Sequence, residues 1–148
     1  MAVKVIDTCA MIAFLEDEPG ADIIEAILID PANVCIAHAV NLSELYTHYC
    51  KYHTEADADE AVRLILEDAC IVERQDADGD FWKGVGRIRA RITTTVKNPL
   101  TGGCHSISLA DCFALQLAIK TTGAVVTCDH GEFDHVQASR ICQVDFFR

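Results

Sequence analysis

The sequence predicts an α/β fold in which a parallel sheet of four or five short strands is flanked by helices on both faces, an α/β/α sandwich. The chain has 148 residues, the usual size of one domain, and 51% of them are hydrophobic, which disfavours a disordered chain. Short apolar segments alternate with helical segments, a pattern typical of parallel sheets covered on both sides. Neither a linker nor an internal repeat interrupts this order, so we expect one domain over residues 1–148.

The first half of the chain opens with an apolar, β-branched strand that is followed at once by a helix start at Asp7-Thr8. Pro19-Gly20 and Pro31 separate the next elements, because proline and glycine interrupt helices. Thr54 is placed to cap a helix, with Asp57 three residues further on. The predicted elements are strand Ala2–Ile6, a helix from Asp7-Thr8, helix Ala21–Ile29, strand Val34–Ala37, helix Val40–Tyr52, helix Thr54–Asp68 and strand Cys70–Glu73.

The second half is dominated by two predicted helices on either side of a loop. Gly84 and Gly86 count against the first helix, because glycine has a low helix propensity. The second helix is apolar nearly all round, which indicates burial, and Gly123 is expected to close it. The predicted elements are helix Asp78–Val96, loop Lys97–Ser106, helix Ser108–Lys120, strand Ala124–Thr127, helix Gly131–Ala138 and strand Gln143–Phe146.

The composition indicates where in the cell the protein is expected and which kinds of binding are disfavoured. No apolar run reaches the roughly 18 residues of a membrane span, and the first residues do not resemble a secretory signal, so we expect a cytoplasmic protein without a membrane partner. The eight cysteines form no Cys-x-x-Cys pair, so we interpret them as buried hydrophobes of a reducing cytosol and not as a zinc site. The net charge of −11 argues against binding nucleic acid through an overall basic field.

Three carboxylates occupy positions that favour a functional site. Asp7 follows the first predicted strand and Asp129 follows the fourth, at the edge of a parallel sheet where ligands bind. Asp111 is near the start of the buried helix that begins at Ser108. Asp7 and Asp129 have an alternative interpretation as helix caps, because Asp favours that position. The alternative for Asp111 is a capping box in which Ser108 is the cap. A helix N-terminus also favours the ionised carboxylate that a metal requires.

A fourth carboxylate, Glu44, lies in the middle of a helix, where an ordinary Glu is a solvated surface residue. Asn41, Glu44 and His48 are spaced to form one polar stripe of that helix. The argument for the four acids rests on their joint arrangement, because neighbouring carboxylates repel one another and a divalent cation relieves that repulsion. Mg²⁺ or Mn²⁺ prefers such oxygen ligands, bridges them to phosphate and activates water for attack on phosphorus.

These acids fall within four blocks that span nearly the whole chain: Val5-Ile6-Asp7-Thr8, Leu42-Ser43-Glu44-Leu45-Tyr46, Ser108–Ala118, and Val126-Thr127-Cys128-Asp129. The blocks resemble, in content and order, those of the PIN-domain ribonucleases, and above all the VapC-type toxins of bacterial toxin–antitoxin pairs. The Ser-Leu-Ala-Asp sequence that opens the third block is the most specific part of the resemblance.

The resemblance implies a Mg²⁺- or Mn²⁺-dependent endoribonuclease, usually a homodimer that a small antitoxin protein holds inactive. The catalytic set that it implies is Asp7, Glu44, Asp111 and Asp129. The implied metal ligands are Asp7, Asp111 and Asp129, and the implied supporting residues are Thr8, Thr127 and Asp134. Glu44 would orient or deprotonate the attacking water. The alternatives are a stand-alone PIN nuclease, another metal-dependent phosphodiesterase, or a catalytically silent binding module, and the RNA target stays open.

Three cysteines, Cys9, Cys112 and Cys128, each lie within two residues of a candidate carboxylate. We interpret them as packing residues, because free cysteine is commonly buried. His105, in the predicted loop, is either an RNA contact or an ordinary solvated histidine.

Lys83, Arg87 and Arg91 recur at intervals of four residues and would form one stripe of the predicted helix 78–96. One interpretation of this basic stripe is a phosphate-contacting edge of an RNA groove. The other is a solvated helix face, which is common in globular proteins.

Overall fold

The computed structural model describes residues 1–95, 102–103 and 106–148, which form a five-stranded sheet and seven α-helices. The strands are β1 Ala2–Ile6, β2 Asn33–His38, β3 Val72–Arg74, β4 Ala124–Thr127 and β5 Gln143–Phe146. The helices are α1 Thr8–Leu15, α2 Ala21–Ile29, α3 Ala39–Tyr52, α4 Glu55–Arg63, α5 Gly79–Thr95, α6 Leu109–Thr121 and α7 His130–Ala138. A π-helical turn, Leu64–Asp68, extends α4. The predicted α/β fold is confirmed.

All five strands are parallel and lie in the order β3-β2-β1-β4-β5. The chain moves outward from β1 through β2 to β3, then crosses to β4 on the other side of β1 and continues to β5. The strand order therefore reverses between β1 and β4. In sheets of this kind ligands bind beyond the carboxyl ends of the strands at such a reversal, which here is where Asp7 and Asp129 follow their strands.

Helices cover both faces of the sheet. Val5 and Val125 pack against α5, α6 and α7 on one face. Ile6 and Val126, the next residue of each strand, pack against α1 to α4 on the other face. Successive side chains of a strand point to opposite faces, so a sheet buried on both faces needs strands that are apolar throughout. This explains the unbroken apolar runs in the sequence.

The third strand begins two residues later than the predicted Cys70–Glu73. The π-helical turn carries the helical segment on to Asp68, and Cys70 then has a left-handed backbone with φ 54°. This turn delays the pairing of β3 with β2, which starts with Val72 beside Ile36.

Two glycines, Gly84 and Gly86, lie within α5. The close packing of Gly84 against α6 offsets the low helix propensity of glycine at that position. Gly84 is buried against α6, where a Cβ would collide with the side chain of Gln116. Gly86 is exposed and has open space around it. Most of the predicted loop 97–106 lies outside the described residues, as do Cys104 and His105. Among the helices that the structure describes, none is long and apolar enough to cross a membrane.

Gly123 closes α6 as predicted, because its N–H donates to the Ala118 carbonyl at 2.8 Å, but it does not supply the left-handed residue of the cap. Thr122 adopts the left-handed conformation, φ 54° and ψ 39°, that ends α6. Gly123 also allows the chain to pass close to β1, because a Cβ at this position would lie 2.7 Å from the backbone oxygen of Val3.

We expect a Gly123→Ala variant to lose about 1–3 kcal/mol of unfolding free energy, because the new methyl group meets backbone that cannot move aside cheaply. Gly86→Ala is the matched control and should gain up to about 1 kcal/mol, because alanine favours an exposed helix position. Urea unfolding of both variants measures the difference. A Gly123→Ala protein as stable as Gly86→Ala would contradict the close approach.

Candidate active site

A cavity of about 330 Å³ opens beyond the carboxyl ends of β1 and β4. The four carboxylates selected from the sequence all line it, together with one more acid, Glu132. The full set of lining residues is Asp7, Thr8, Cys9, Ile12, Glu44, Ser108, Asp111, Asp129 and Glu132. The structure thus brings together acids that are separated by more than 120 residues of chain.

Asp7 is the most buried of these acids, with 3% of its surface exposed. Its backbone N–H donates to the carbonyl of Val126 at 3.1 Å, which continues the pairing of β1 with β4 by one residue. Oδ1 accepts from the Thr8 backbone N–H at 2.8 Å, and Oδ2 accepts from the Thr127 hydroxyl at 2.9 Å. The side chain therefore caps α1 and is also fixed across the sheet, so the cap and the site interpretations both describe Asp7.

Glu44 reaches the cavity from α3 and is held by a hydroxyl of α1. Thr8 Oγ1 donates to Glu44 Oε2 at 2.8 Å, and it also lies 3.2 Å from the carbonyl oxygen of Asn41. Glu44 is exposed, so its carboxylate is open to solvent on the cavity side. The hydrogen bond from Thr8 therefore holds this exposed glutamate within the acidic cluster.

Asn41, fully buried on α3, leaves one polar atom without a partner. Its Nδ2 donates to Asp7 Oδ1 at 3.3 Å and approaches the carbonyl of Ala110 at 3.4 Å. Its Oδ1 is buried and accepts no hydrogen bond from the described residues. A buried acceptor without a donor is costly unless water or a cation satisfies it.

Asp111 and its cap form the second wall of the cavity. Ser108 Oγ accepts from the backbone N–H of Asp111 at 3.0 Å, and its hydroxyl donates to Asp111 Oδ2 at 2.6 Å. Asp111 is only 8% exposed and lies in the first turn of α6. The capping interpretation is therefore fulfilled by Ser108, and the Asp111 carboxylate remains directed into the cavity that it lines.

Asp129 and Glu132 approach from the start of α7. The Thr127 hydroxyl oxygen accepts from Asp129 N–H at 3.1 Å, and Asp129 Oδ1 accepts from Glu132 N–H at 3.0 Å. Sequence reasoning missed Glu132, although an acid three residues after an N-cap is a recognisable signal. Asp134 instead lies outside the lining set, exposed and 2.9 Å from His130 Nδ1, and its supporting role stays a prediction.

The electrostatics of the cavity favour a bound cation. Burial raises the pKa of Asp7 above its usual range, against hydrogen bonds that lower it, and the charge of Glu44 raises it further. Burial followed by the charge of Asp7 raises the pKa of Asp111 to about 7, against the hydrogen bond from Ser108. Positive charge among these oxygens would favour the ionised forms. The carboxylate donor set fits a hard ion such as Mg²⁺ or Mn²⁺. The Asn41 amide, which contacts Asp7, adds an oxygen that has no donor among the described residues.

Cys9 has polar contacts that packing alone does not require. Its Sγ lies 3.3 Å from Asp7 Oδ2 and 3.2 Å from Thr127 Oγ1, and it accepts from the Cys128 backbone N–H at 3.2 Å. Burial and the charge of Asp7 raise the pKa of this thiol, so the proton stays on sulfur. Cys112, in contrast, is a fully buried core residue, as predicted.

The three basic residues of the predicted stripe lie on α5, and all of them are exposed. Lys83 Nζ lies 5.5 Å from the centre of the exposed Trp82 ring. None of the three lines the acidic cavity, so a contact with RNA stays a prediction.

The fold and the cavity define a class of protein: a parallel α/β domain with an acidic cluster at the point where its strand order reverses. The family model of the PIN domain matches residues 4–138, and the chain therefore belongs to the PIN-domain family. PIN domains are nucleases that generally use divalent metal ions. No curated protein matches the chain by sequence.

Solved structures share this fold at low sequence identity. The chain is similar to DNA-bound VapBC from Salmonella typhimurium, with a TM-score of 0.69, 15% identity and 100% of both chains covered. It is also similar to VapBC-1 from nontypeable Haemophilus influenzae, with a TM-score of 0.69, 14% identity and 98% of both chains covered. For Mycobacterium tuberculosis VapC20, described as a sarcin–ricin loop cleaving toxin, the TM-score is 0.59 at 11% identity, over 82% of this chain and 86% of that one.

Proposed function

We propose that this protein is a metal-dependent endoribonuclease that hydrolyses RNA phosphodiester bonds, and that it is the toxin of a VapBC-type toxin–antitoxin pair. The observation that carries the proposal is the meeting of the four predicted acids in one cavity of a PIN domain. The proposed substrate, RNA, is the reason to expect a cytoplasmic protein.

Asp7, Asp111 and Asp129 are the residues that would hold Mg²⁺ or Mn²⁺. Such an ion, when bound, polarises a phosphoryl oxygen and lowers the pKa of water. The protein fixes these carboxylates before any substrate arrives. The Ser108 hydroxyl holds an oxygen of Asp111, the Thr127 hydroxyl holds one of Asp7, and the Glu132 N–H holds one of Asp129. Fixed ligands spare the reaction the cost of reorganising them.

Glu44 is better placed than Asp7 or Asp111 to accept the proton of the attacking water. Asp7 already receives hydrogen bonds from four side-chain and backbone groups, and Asp111 is buried. Glu44 is exposed, and among the described residues only the Thr8 hydroxyl is seen to orient its carboxylate. A general base must combine an available oxygen with a fixed position, and Glu44 has both.

The experiment that tests the proposal is incubation of the purified protein with transfer, ribosomal and messenger RNA in Mg²⁺, in Mn²⁺ and in EDTA. We expect internal cleavage of at least one RNA class that requires the metal and stops in EDTA. Cleavage of a small phosphodiester but of no RNA would instead indicate another phosphodiesterase. Binding of RNA without any cleavage would indicate a silent module.

The antitoxin partner is proposed from the fold neighbours, several of which are described as VapBC or FitAB complexes. A homodimer is proposed on the family resemblance. Co-expression with the product of a small neighbouring reading frame should give a stable complex whose RNA cleavage is suppressed. Unchanged cleavage in that mixture would favour a stand-alone nuclease.

The basic stripe of Lys83, Arg87 and Arg91 is proposed as a phosphate-contacting edge. Arg87→Ala should weaken RNA binding and reduce the slope of log affinity against log salt by about one unit, because one phosphate contact is lost. Lys51→Ala, on α3, is the control with the same change of net charge. Fluorescence anisotropy in Ca²⁺ measures both variants, and equal slopes would assign the stripe to an ordinary solvated helix face.

A further inference from the structure

We propose a second metal site, specific for a transition-metal ion such as Zn²⁺, formed by Glu16, His48 and His53. The site lies where α1 and α3 end, and none of its three residues lines the acidic cavity. Within residues 1–95, 102–103 and 106–148, no other trio of His, Cys, Asp and Glu ligand atoms converges as closely as this one.

The three ligand atoms lie close to the spacing that a zinc ion requires. Glu16 Oε1 lies 3.2 Å from His48 Nε2 and 3.7 Å from His53 Nε2. All three ligand atoms lie within 4.8 Å of one another. Ligands at about 2.0–2.1 Å from Zn²⁺ are roughly 3.3 Å apart in a tetrahedron, so only small side-chain movements are needed.

The end of α3 has the backbone conformation that brings its two histidines together. On a continuous helix, residues five apart point about 140° away from each other. The helix ends at Tyr52, and His53 leaves helical geometry with φ −133° and ψ −139° while its N–H still donates to the Tyr49 carbonyl at 2.7 Å. This turn directs the His53 ring back towards Glu16.

Aromatic neighbours hold both imidazoles. The ring of His48 lies 5.5 Å from that of Tyr49 and 5.0 Å from that of Tyr52, measured between ring centres. The ring of His53 stacks on Tyr49 at 5.1 Å.

Two imidazoles and one carboxylate select a different ion from the acidic cavity. Imidazole suits Zn²⁺, Ni²⁺ and Cu²⁺, whereas oxygen-only donor sets suit Mg²⁺ and Mn²⁺. Zn²⁺ sites with three protein ligands keep a further position open for water. His48 follows Glu44 by one helical turn, so an ion here would pin α3 to α1 just beyond the cavity.

Zinc binding to the tag-free, full-length protein tests the site, by equilibrium dialysis with metal analysis. We expect one zinc per chain in wild type and in Asp7→Asn, and loss of that zinc in His48→Gln and in His53→Gln. His135→Gln, on α7, is the matched histidine control and should keep it. Zinc bound equally by all of these variants, or by none of them, would overturn the proposal.

A second measurement needs no variant of the site. In histidine-ring NMR spectra of the wild-type protein, zinc should shift the resonances of two of the six histidines and leave the other four in place. Melting curves should show that zinc raises the Tm of wild type and of Asp7→Asn, because a ligand that binds only the folded state stabilises it. Unchanged ring resonances with excess zinc would show that the pair of histidines is an ordinary surface contact of Glu16.

Discussion

Replacing Asp7 with Asn is expected to slow RNA cleavage in Mg²⁺ by about 10²- to 10⁴-fold while the protein remains folded. Asn keeps the shape of the side chain, and its carbonyl oxygen can still accept from the Thr8 N–H. Its NH2 group then replaces the oxygen that faces Thr127 and can donate to that hydroxyl oxygen. Asn lacks the negative charge at the centre of the acidic cluster, on which the affinity for a divalent ion depends. The same loss is expected for Asp111→Asn.

The matched control for this loss is Asp22→Asn, in the first turn of α2, where the side chain is exposed and does not line the cavity. Its cleavage rate should equal that of wild type. Single-turnover cleavage of a labelled RNA measures wild type and the three variants, and circular dichroism checks that each is folded. Wild-type rates for a folded Asp7→Asn protein would refute the assignment of the metal site.

Asp111→Asn is also expected to raise the unfolding free energy of the metal-free protein, by about 1–3 kcal/mol near pH 8. The pKa of Asp111 is about 7 in the folded protein, against an ordinary value of 3.8. Between these values the folded state holds a proton that the unfolded chain has lost, so stability falls as the pH rises. Above pH 7 the buried carboxylate is ionised beside Asp7, and the penalty is complete.

Urea unfolding in EDTA at about pH 5 and about pH 8 tests this prediction. Wild type should lose more stability than Asp111→Asn between the two pH values, and added Mg²⁺ should restore wild type at the higher pH but not the variant. Asp22→Asn should behave as wild type. An equal pH dependence in wild type and Asp111→Asn would mean that this carboxylate carries no penalty in the fold.

Local patterns in the sequence were enough to predict the sheet and the positions of most helices. The strands are recognisable because burial on both faces makes them apolar throughout, and Thr54 with Asp57 forms the predicted capping box. The start of β3 was wrong because a π-helical turn and the left-handed Cys70 depend on packing around them. Gly123 closes α6 as predicted, but its close approach to Val3 depends on a residue 120 positions away in the chain and could not be predicted.

The site was predictable only in part, because some of its features depend on contacts between residues that are far apart in sequence. Asp7 and Asp129 are marked by their places after strands, whereas Glu44 has a local context typical of a surface residue and needed the family resemblance. Its link to Thr8 crosses 36 residues of chain. Glu132 could not be assigned to the site from the sequence, because the packing of α7 decides which of its faces lines the cavity. The polar contacts of Cys9 arise from Thr127 and Cys128 on another strand end, which no pattern around Cys9 reveals.

Binding of Mn²⁺, followed by the electron paramagnetic resonance signal of the free ion, tests the carboxylate cavity most directly. Wild type should remove at least one Mn²⁺ per chain from solution, and so should His48→Gln, whose change lies outside the cavity. Asp7→Asn and Asp111→Asn should leave that ion free. Equal Mn²⁺ binding by wild type and by folded Asp7→Asn and Asp111→Asn proteins would contradict a metal site built from these acids.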